Sequence, residues 1–332
     1  MGPPTTLAMT PRPLRSGWRG GALDWDRRRI LTAFAATAFP LASPVAAASP
    51  PVRTRLVLLG TAGGPRPRRR RSGSAQAIVT GNQIHVVDCG YGVARQMVLA
   101  GLPLRQLRHI FITHHHSDHN VDLGALLQLA WISGLVTPVD CWGPSPTTRM
   151  IGDFLRYQDH DIALRIKDEG RVPLGPLVRG HDLGGGGTVF SDDHVRVTAA
   201  KVPHPPLDLA LAYRFDSHDR SIVISGDTRE SEALVRLASG ADVLVHEVML
   251  EDRVRQLVSN LPNRDDLARS IISHHTTAEQ VGRVAAAARV KTLVLSHFVP
   301  AEDPDVPDEE WLAPVRRHFS GRVIVGRDLM EI

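Results

Sequence analysis

The segment with the clearest chemical potential, residues 113–119, reads Thr-His-His-His-Ser-Asp-His and lies between an apolar run typical of a buried strand and a predicted helix. In an extended turn, His114 and His116 point to the same side, and the histidine between them points away. Asp118 and His119, at the helix entrance, face that pair. Imidazole nitrogens and carboxylate oxygens bind zinc, and catalytic zinc sites keep one position open for water. The spacing therefore predicts ligands for two ions, which act on one substrate when they lie ~3.5–4 Å apart.

Two further potential ligands also stand directly after apolar runs that predict strands. Asp227 follows the run at residues 222–225. His297 follows the run at residues 293–296. Strands that end at the same edge of a sheet bring side chains from distant segments into one site. We therefore expect both residues to lie near the 113–119 turn.

The elements that must position these residues alternate along the chain from Arg55 onward, without an internal repeat or a long linker. This alternation of short β-branched runs with Ala- and Leu-rich segments predicts one α/β domain. Residues 142–195 are predicted to be helical and then glycine-rich, with a mobile loop at 184–187. The predicted helices are 93–100, 123–133, 147–157, 230–239 and 278–288.

The composition argues against a dedicated nucleic-acid binder. The formal net charge of +4 arises in the first 48 residues, where six Arg outweigh Asp24 and Asp26, so that the remaining chain is neutral. Nucleic-acid binders usually carry their basic excess on the folded domain. The two cysteines, Cys89 and Cys141, exclude a disulfide framework and a cysteine-rich metal site, and we expect two buried free thiols.

The amino-terminal segment, residues 1–48, resembles a twin-arginine export signal. Arg27-Arg28-Arg29 precedes an Ala- and Thr-rich apolar stretch and then three alanines at 46–48, a pattern that signal peptidase accepts. This predicts a periplasmic or secreted protein whose catalytic domain spans residues 52–332. Stable membrane insertion is not expected, because prolines interrupt a stretch barely long enough to span a bilayer. An extension upstream of the true start codon is the alternative interpretation.

The motif His-x-His-x-Asp-His after a strand resembles the signature of the metallo-β-lactamase superfamily. Residues 59–64 are similar to the opening strand and glycine turn of that superfamily. Residues 86–90 are similar to its second motif, in which Asp88 supports a ligand from behind. The resemblance covers nearly all of residues 55–332. It implies an α/β fold of four αββα layers, with two mixed sheets flanked by helices.

The resemblance also implies a complete set of metal ligands. One ion would bind His114, His116 and His204, the other would bind Asp118, His119 and His297, and Asp227 would bridge them. The implied cofactors are two Zn²⁺, with Mn²⁺ or Fe²⁺ as alternatives, and the implied nucleophile is a metal-bridging hydroxide. All seven positions are filled in this chain, which disfavours a non-catalytic metal-binding protein.

Two further segments are similar to motifs of the ribonuclease Z and arylsulfatase-like subgroup. These are His246-Glu247 after a predicted strand and His275-Thr276-Thr277 at a helix start. The subgroup implies three catalytic side chains, Asp118, His275 and Glu247, of which Glu247 orients His275. The choice of His275 over its neighbour His274 rests only on register with the family pattern.

The expected reaction is hydrolysis of a phosphodiester, because two ions can stabilise both the attacking and the leaving oxygen. An arylsulfatase or a lactone or other ester hydrolase is the alternative. We expect a small-molecule ester or phosphodiester substrate and a possible homodimer. Nucleic acid is not favoured, because the body is neutral, an export signal is predicted, and the glycine- and proline-rich arm typical of ribonuclease Z is not found. The arginine-rich run at 66–71 either meets an anionic substrate or is a solvated loop.

Overall fold

Two β-sheets packed face to face form the centre of the fold. The structure is a computed structural model of the chain, and it describes residues 53–301 and 306–332. The predicted export signal lies outside these residues. Within them, one sheet has six strands and the other has seven. No helix of the described part is both long and apolar enough to cross a bilayer.

The first sheet runs in chain order from one edge to the other. Its first three strands are antiparallel neighbours and the remaining strands are added in parallel. The parallel part matters for function, because its strand ends point to one edge of the sheet. The strands are β1 (Arg55–Gly60), β2 (Ala75–Thr80), β3 (Gln83–Val87), β4 (Leu107–Phe111), β5 (Val139–Pro144) and β6 (Val178–Leu183).

The second sheet is mixed in the same way, and its strands also follow chain order from one edge to the other. The last four strands in the chain are parallel neighbours, and the first four are antiparallel neighbours, with one strand common to both sets. The strands are β7 (Gly187–Ser191), β8 (Val195–Val202), β9 (Ala210–Ser217), β10 (Ser221–Ile224), β11 (Val243–Met249), β12 (Thr292–Val299) and β13 (Arg322–Val325).

Helices cover the outer faces of both sheets and produce four layers. They are α1 (Val93–Leu99), α2 (Ser117–Asn120), α3 (Leu123–Ile132), α4 (Thr147–Tyr157), α5 (Asp159–Glu169), α6 (Glu232–Leu237), α7 (Glu251–Val258), α8 (Arg264–His274), α9 (Ala278–Ala288) and α10 (Asp308–Arg316). One apolar cluster joins α1 and α3 to the first sheet, and a second joins α6, α9 and α10 to the second sheet.

The layer between the sheets is rich in aromatic side chains. Phe111 stacks on Trp142 within the first sheet and meets Phe215 of the second sheet edge to face at 5.2 Å. Burial of this apolar surface holds the two sheets together. The predicted αββα architecture is therefore confirmed. Both cysteines are buried and unbonded, as expected.

The region 142–195 departs from its sequence prediction. Besides the helices it contains β6, an edge strand with no fully buried residue, and β7, whose side chains are also largely exposed. A half-exposed edge strand lacks the apolar run that identifies a buried strand. The glycines at 184–186 carry the chain from the edge of the first sheet to the edge of the second.

Candidate metal centre

The predicted ligands lie at one edge of the sandwich, where strands of both sheets end. The 113–119 turn follows β4, and its last residues form the single turn of α2. His204 follows β8, Asp227 follows β10, and His297 lies near the end of β12. Six of the seven predicted ligands are buried, and His116 is half-buried. The fold thus brings side chains from four distant segments to one place.

The first group joins three histidines and one carboxylate oxygen. His116 Nδ1 lies 3.0 Å from His114 Nε2 and 3.1 Å from His204 Nε2. Both of those Nε2 atoms lie 3.8 Å from Asp227 Oδ2. These four side chains form one candidate metal-binding group.

The second group joins two histidines and a carboxylate. His119 Nε2 and His297 Nε2 are 3.1 Å apart, and they lie 3.5 and 3.3 Å from Asp118 Oδ2. Both nitrogens also lie 3.3 Å from Asp227 Oδ1. Asp227 therefore turns one oxygen to each group. This is the arrangement expected of a residue that bridges two ions.

The donor set fits divalent metal ions. Ligands ~2.1 Å from one tetrahedral ion lie about 3.4 Å from each other, and the separations within each group are close to that value. Asp227 Oδ1 is buried and forms no hydrogen bond of regular geometry, although His119 Nε2 and His297 Nε2 lie 3.3 Å from it. A cation between these atoms would stabilise the buried carboxylate oxygen. The composition is that of a divalent-metal centre.

Burial sets the protonation state of the first group. It lowers the pKa of His114 well below its usual value, and it lowers that of His204 to about 4. Both rings are thus neutral near pH 7, which is the form that binds a metal ion. Burial of Asp227 favours its neutral form, but His297 and His119 hold its pKa well below the ordinary value.

Asp88 fixes the orientation of the second group from behind. Its Oδ2 accepts a hydrogen bond from His119 Nδ1 at 2.7 Å, which leaves Nε2 facing the site. The same carboxylate accepts hydrogen bonds from the backbone and hydroxyl of Thr113. Asp88 has φ 62 and His297 has φ 44. Such left-handed backbone in residues other than glycine costs on the order of 1–3 kcal/mol and is typical of functional sites.

His275 lies beside both groups and is held by Glu247. His275 Nδ1 lies 2.9 Å from Glu247 Oε2 and 3.9 Å from Asp227 Oδ2. Glu247 Oε1 accepts hydrogen bonds from the backbone of Thr228 and Thr276. Burial opposes protonation of His275, but Glu247 and the nearby aspartates outweigh it and raise its pKa to about 9.

The neighbouring His274 has a different place. Its backbone carbonyl accepts a hydrogen bond from His204 Nδ1 at 3.0 Å, while its ring lies 5.8 Å from that of His204. It makes no contact with Glu247 among the contacts of the described residues. The structure thus places His275, rather than His274, against Glu247 and beside both groups.

A cavity of about 380 Å³ opens beside the centre. His116, Asp118, Asp227, His275 and His297 are among the residues that line it.

Arg66 and Arg68 of the arginine-rich run also line the cavity. Arg71 is instead buried, donates hydrogen bonds to Thr61 Oγ1 and Gly326 O, and lies 4.2 Å from the ring centre of Phe298. Only part of the run therefore lines the cavity.

Six aliphatic residues of the cavity lining come from α7, α8 and the turn between them, which the sequence analysis missed. We call this set the α7 and α8 wall, and it comprises Val254, Leu257, Val258, Leu261, Leu267 and Ile271. Residues 254 and 258 of α7, and residues 267 and 271 of α8, stand four positions apart on one helix face, which was a usable signal. The signal was weak because the intervening residues are almost all charged or polar.

A four-layer αββα sandwich with two histidine and carboxylate groups at one edge is the arrangement of the metallo-β-lactamase fold. A family model described as a beta-lactamase superfamily domain matches residues 85–298. The chain belongs to the metallo-β-lactamase superfamily. Its membership and its site make it a metal-dependent hydrolase, as the sequence predicted.

Curated relatives cover nearly the whole described chain. Ribonuclease Z from Mycobacterium bovis (strain BCG / Pasteur 1173P2) is 32% identical over 280 residues, which are 83% of this chain and 97% of that relative. Ribonuclease Z from Mycobacterium avium (strain 104) is 34% identical over 282 residues, with the same two coverages. The subgroup suggested by the two downstream motifs thus agrees with these relatives on the ribonuclease Z side.

Solved structures agree on the fold. The metallo-beta-lactamase fold protein YhfI from Bacillus subtilis superposes with a TM-score of 0.61 at 19% identity, covering 84% of this chain and 98% of that chain. Human tRNase Z, short form, superposes with a TM-score of 0.60 at 22% identity, with the same coverages. At these identities the likeness establishes the architecture alone.

Proposed function

We propose that this chain hydrolyses phosphodiesters with a pair of divalent metal ions, for which zinc is the first candidate. The observation that carries the proposal is the Asp227 carboxylate, whose two oxygens face two separate groups of ligands. When bound there, the cations would supply an activated water nucleophile and a Lewis acid for the substrate oxygen. His114, His116 and His204 would hold one cation, and Asp118, His119 and His297 the other.

In this proposal, Asp118 positions the attacking water. Its Oδ2 accepts a hydrogen bond from the backbone of Gly64 and lies within 3.5 Å of both His119 and His297. The carboxylate is thus fixed at the floor of the cavity. From there Asp118 can accept a hydrogen bond from the water. That hydrogen bond directs a lone pair of the water oxygen at phosphorus.

His275 donates a proton to the leaving oxygen. It lines the same cavity as Asp118, and Glu247 fixes its ring through Nδ1, so that Nε2 is left to act on the substrate. A positioned general acid of this kind typically contributes ~10²–10⁴-fold to the rate. Glu247 does not meet the substrate and acts by holding His275 in place.

RNA is a second candidate substrate. The observation that favours it is the relatives' name, ribonuclease Z, at 32–34% identity over most of the chain. The chemistry would be the same, because RNA is also a phosphodiester. The two candidates differ in what must surround the scissile bond, which a comparison of substrates can decide.

The test is turnover by the metal-loaded protein on a small panel. Bis-p-nitrophenyl phosphate, p-nitrophenyl sulfate, a homoserine lactone and a single-stranded RNA would be incubated with the enzyme, with and without a chelator. We expect chelator-sensitive hydrolysis of bis-p-nitrophenyl phosphate. Turnover of the sulfate or the lactone alone would overturn the phosphodiester proposal in favour of those esters. Silence on every substrate with metal bound would favour a non-catalytic metal-binding protein.

We further propose that the chain is exported. The support is the sequence of residues 1–48, which are outside the described part. Replacing Arg28 and Arg29 by Lys is expected to retain the protein in the cytoplasm, because twin-arginine signals are read through their arginines. Cell fractionation measures the outcome, and equal export of the variant and the parent protein would contradict the proposal.

A further inference from the structure

Two chemically different sets of residues line the cavity beside the metal centre. One set is the histidines and carboxylates of the centre. The other set is the aliphatic α7 and α8 wall described above. Five of its six side chains are buried or half-buried, and Leu257 is 37% exposed. A substrate bound at the centre therefore has hydrocarbon side chains next to it.

Cationic side chains stand at the same cavity. Arg66 is exposed, and Arg68 is half-buried. The guanidinium groups of Arg66 and Arg68 carry positive charge, which attracts an anionic ligand. The cavity thus combines attraction for an anion with a hydrocarbon wall.

The wall distinguishes a hydrocarbon group from a nucleobase. Proteins bind unpaired bases by stacking them on aromatic rings or guanidinium planes and by hydrogen bonds to their polar edges. The α7 and α8 wall offers neither aromatic rings nor polar side chains in its lining. A base placed there would lose its hydrogen bonds to water without replacement. An alkyl or aryl group forms no hydrogen bonds with water, so it does not incur this cost.

We propose that the substrate is an anionic phosphodiester that carries a compact alkyl or aryl group, and that this group binds against the α7 and α8 wall. The proposal rests on the proposed phosphodiesterase function. The volume of about 380 Å³ suits a small ligand, since small-molecule sites measure roughly 300–1,000 Å³. The wall, rather than the metal centre, would then determine which phosphodiester is hydrolysed.

Calorimetric binding to the metal-loaded protein tests the wall separately from catalysis. The probes are methyl-, propyl-, pentyl- and phenylphosphonate, together with uridine monophosphate. We expect the Kd to fall roughly fourfold for each methylene that enters the pocket. Equal affinity for all phosphonates would overturn the proposal. So would tighter binding of uridine monophosphate than of pentylphosphonate, which would point to a nucleotide occupant.

Leu257→Gln is the variant that examines the wall. Leu257 is partly exposed, so its replacement is not expected to unfold α7. Pentylphosphonate binding should weaken by roughly three- to tenfold while methylphosphonate binding stays the same. Leu164→Gln is the matched control, since Leu164 is 51% exposed and lies on α5, away from the cavity. Equal loss for both phosphonates, or equal loss in the control, would overturn the assignment.

The two proposals fail in different ways. If the Kd of the phosphonates did not depend on chain length while bis-p-nitrophenyl phosphate was still hydrolysed, the assignment of the wall would be refuted. The phosphodiesterase function would then stand. Chain-length dependence without any phosphodiester turnover would refute the proposed function and with it the substrate class. Both measurements use the full chain with metal bound.

Discussion

Three carboxylates at the site each use their two oxygens for different partners. Asp227 divides its oxygens between the two groups of ligands. Asp88 accepts from the Thr113 backbone with Oδ1, and from His119 Nδ1 and the Thr113 hydroxyl with Oδ2. Glu247 holds His275 with one oxygen and two backbone amides with the other. Each carboxylate therefore fixes the position of a histidine or connects two groups. Fixed supporting contacts of this kind orient metal ligands and catalytic groups.

Removal of the His275 ring tests its role. We expect His275→Ala to lower kcat by ~10²–10⁴-fold with bound metal unchanged, because a proton donor is lost and no ligand is. The loss should be smaller for a p-nitrophenyl ester than for the matching phenyl ester, whose leaving group needs the proton more. Steady-state kinetics and metal analysis measure both effects.

His274→Ala is the control for that variant, because the hydrogen bond from His204 reaches the backbone carbonyl of His274, and its ring lies 5.8 Å from that of His204. It should retain the activity of the parent protein. Loss of metal in His275→Ala would contradict the role of a proton donor and would make His275 a ligand. That alternative is concrete, since His275 also forms a candidate metal-binding group with Asp227 and His297.

Among single residues, the sequence was most informative where a motif is local. The ligands of the 113–119 turn follow from spacing, since an extended turn and a helix start fix the direction of each side chain. His204 and Glu247 were assigned through family resemblance, because neither lies in a locally distinctive pattern. The supporting role of Thr113 was missed, since a threonine at a strand end is common and only its distance to Asp88 reveals it.

At the scale of elements, the site depends on how closely two turns approach each other. A Cβ on Gly90 would lie 2.3 Å from the carbonyl oxygen of Asp118 and 2.6 Å from the backbone nitrogen of Ser74. Only glycine permits that approach. The lack of a side chain at Gly90 thus permits the contact between the turn after β3 and the start of α2.

Gly90→Ala is therefore expected to displace the start of α2. We predict a loss of roughly 1–3 kcal/mol in the free energy of unfolding, because backbone atoms cannot yield as a flexible side chain does. Bound metal should fall as Asp118 and His119 move. Gly175→Ala, where no atom lies within 4 Å of the added carbon, is the control. Chemical denaturation and metal analysis measure the two effects. If Gly90→Ala and Gly175→Ala had the same stability and the same bound metal, the close approach at Gly90 would not be required.

The elements that the sequence analysis found and missed differ in burial. The strands that lead to Asp227 and His297 are buried on both faces and have continuous apolar runs, so they were identified. The helices α5, α7 and α8 and the edge strands β6 and β7 expose much of their surface, and their patterns are mostly polar. The missed elements include the wall that we assign to substrate selection.

At the scale of the whole molecule, the two sheets enclose polar groups as well as apolar ones. His85 and His109, on neighbouring strands β3 and β4, have their Nδ1 atoms 2.8 Å apart, and Thr80 Oγ1 lies 2.8 Å from His85 Nε2. Burial lowers the pKa of His85 to about 3 and that of His109 to about 4. Both rings are therefore neutral in the folded protein near pH 7.

This pair predicts how stability depends on pH. The unfolded histidines bind protons below about pH 6.5, whereas the folded ones do so only near pH 3–4, so stability is lost as pH falls through this window. The charged and titratable groups around the pair are Asp140, Asp192, Arg108 and His194. Each buried histidine contributes up to ~1.4 kcal/mol per pH unit.

His109→Gln should reduce the slope of the free energy of unfolding against pH by up to about that amount between pH 6 and pH 4. Chemical denaturation at a series of pH values, at constant metal occupancy, measures it. The exposed His218→Gln provides the control and should leave the slope unchanged. An identical slope in His109→Gln would show that the pair does not contribute to acid sensitivity.

Two metal ions, held by two groups of ligands that share Asp227, are the basis of the proposed function. The most direct measurement is the number of metal ions bound per chain at equilibrium. We predict two for the parent protein and about one for either His204→Ala or His297→Ala. His181→Ala, which removes a histidine paired with Asp140 outside the site, should keep two. A parent protein that binds fewer than two ions, or single variants that still bind two, would contradict the account.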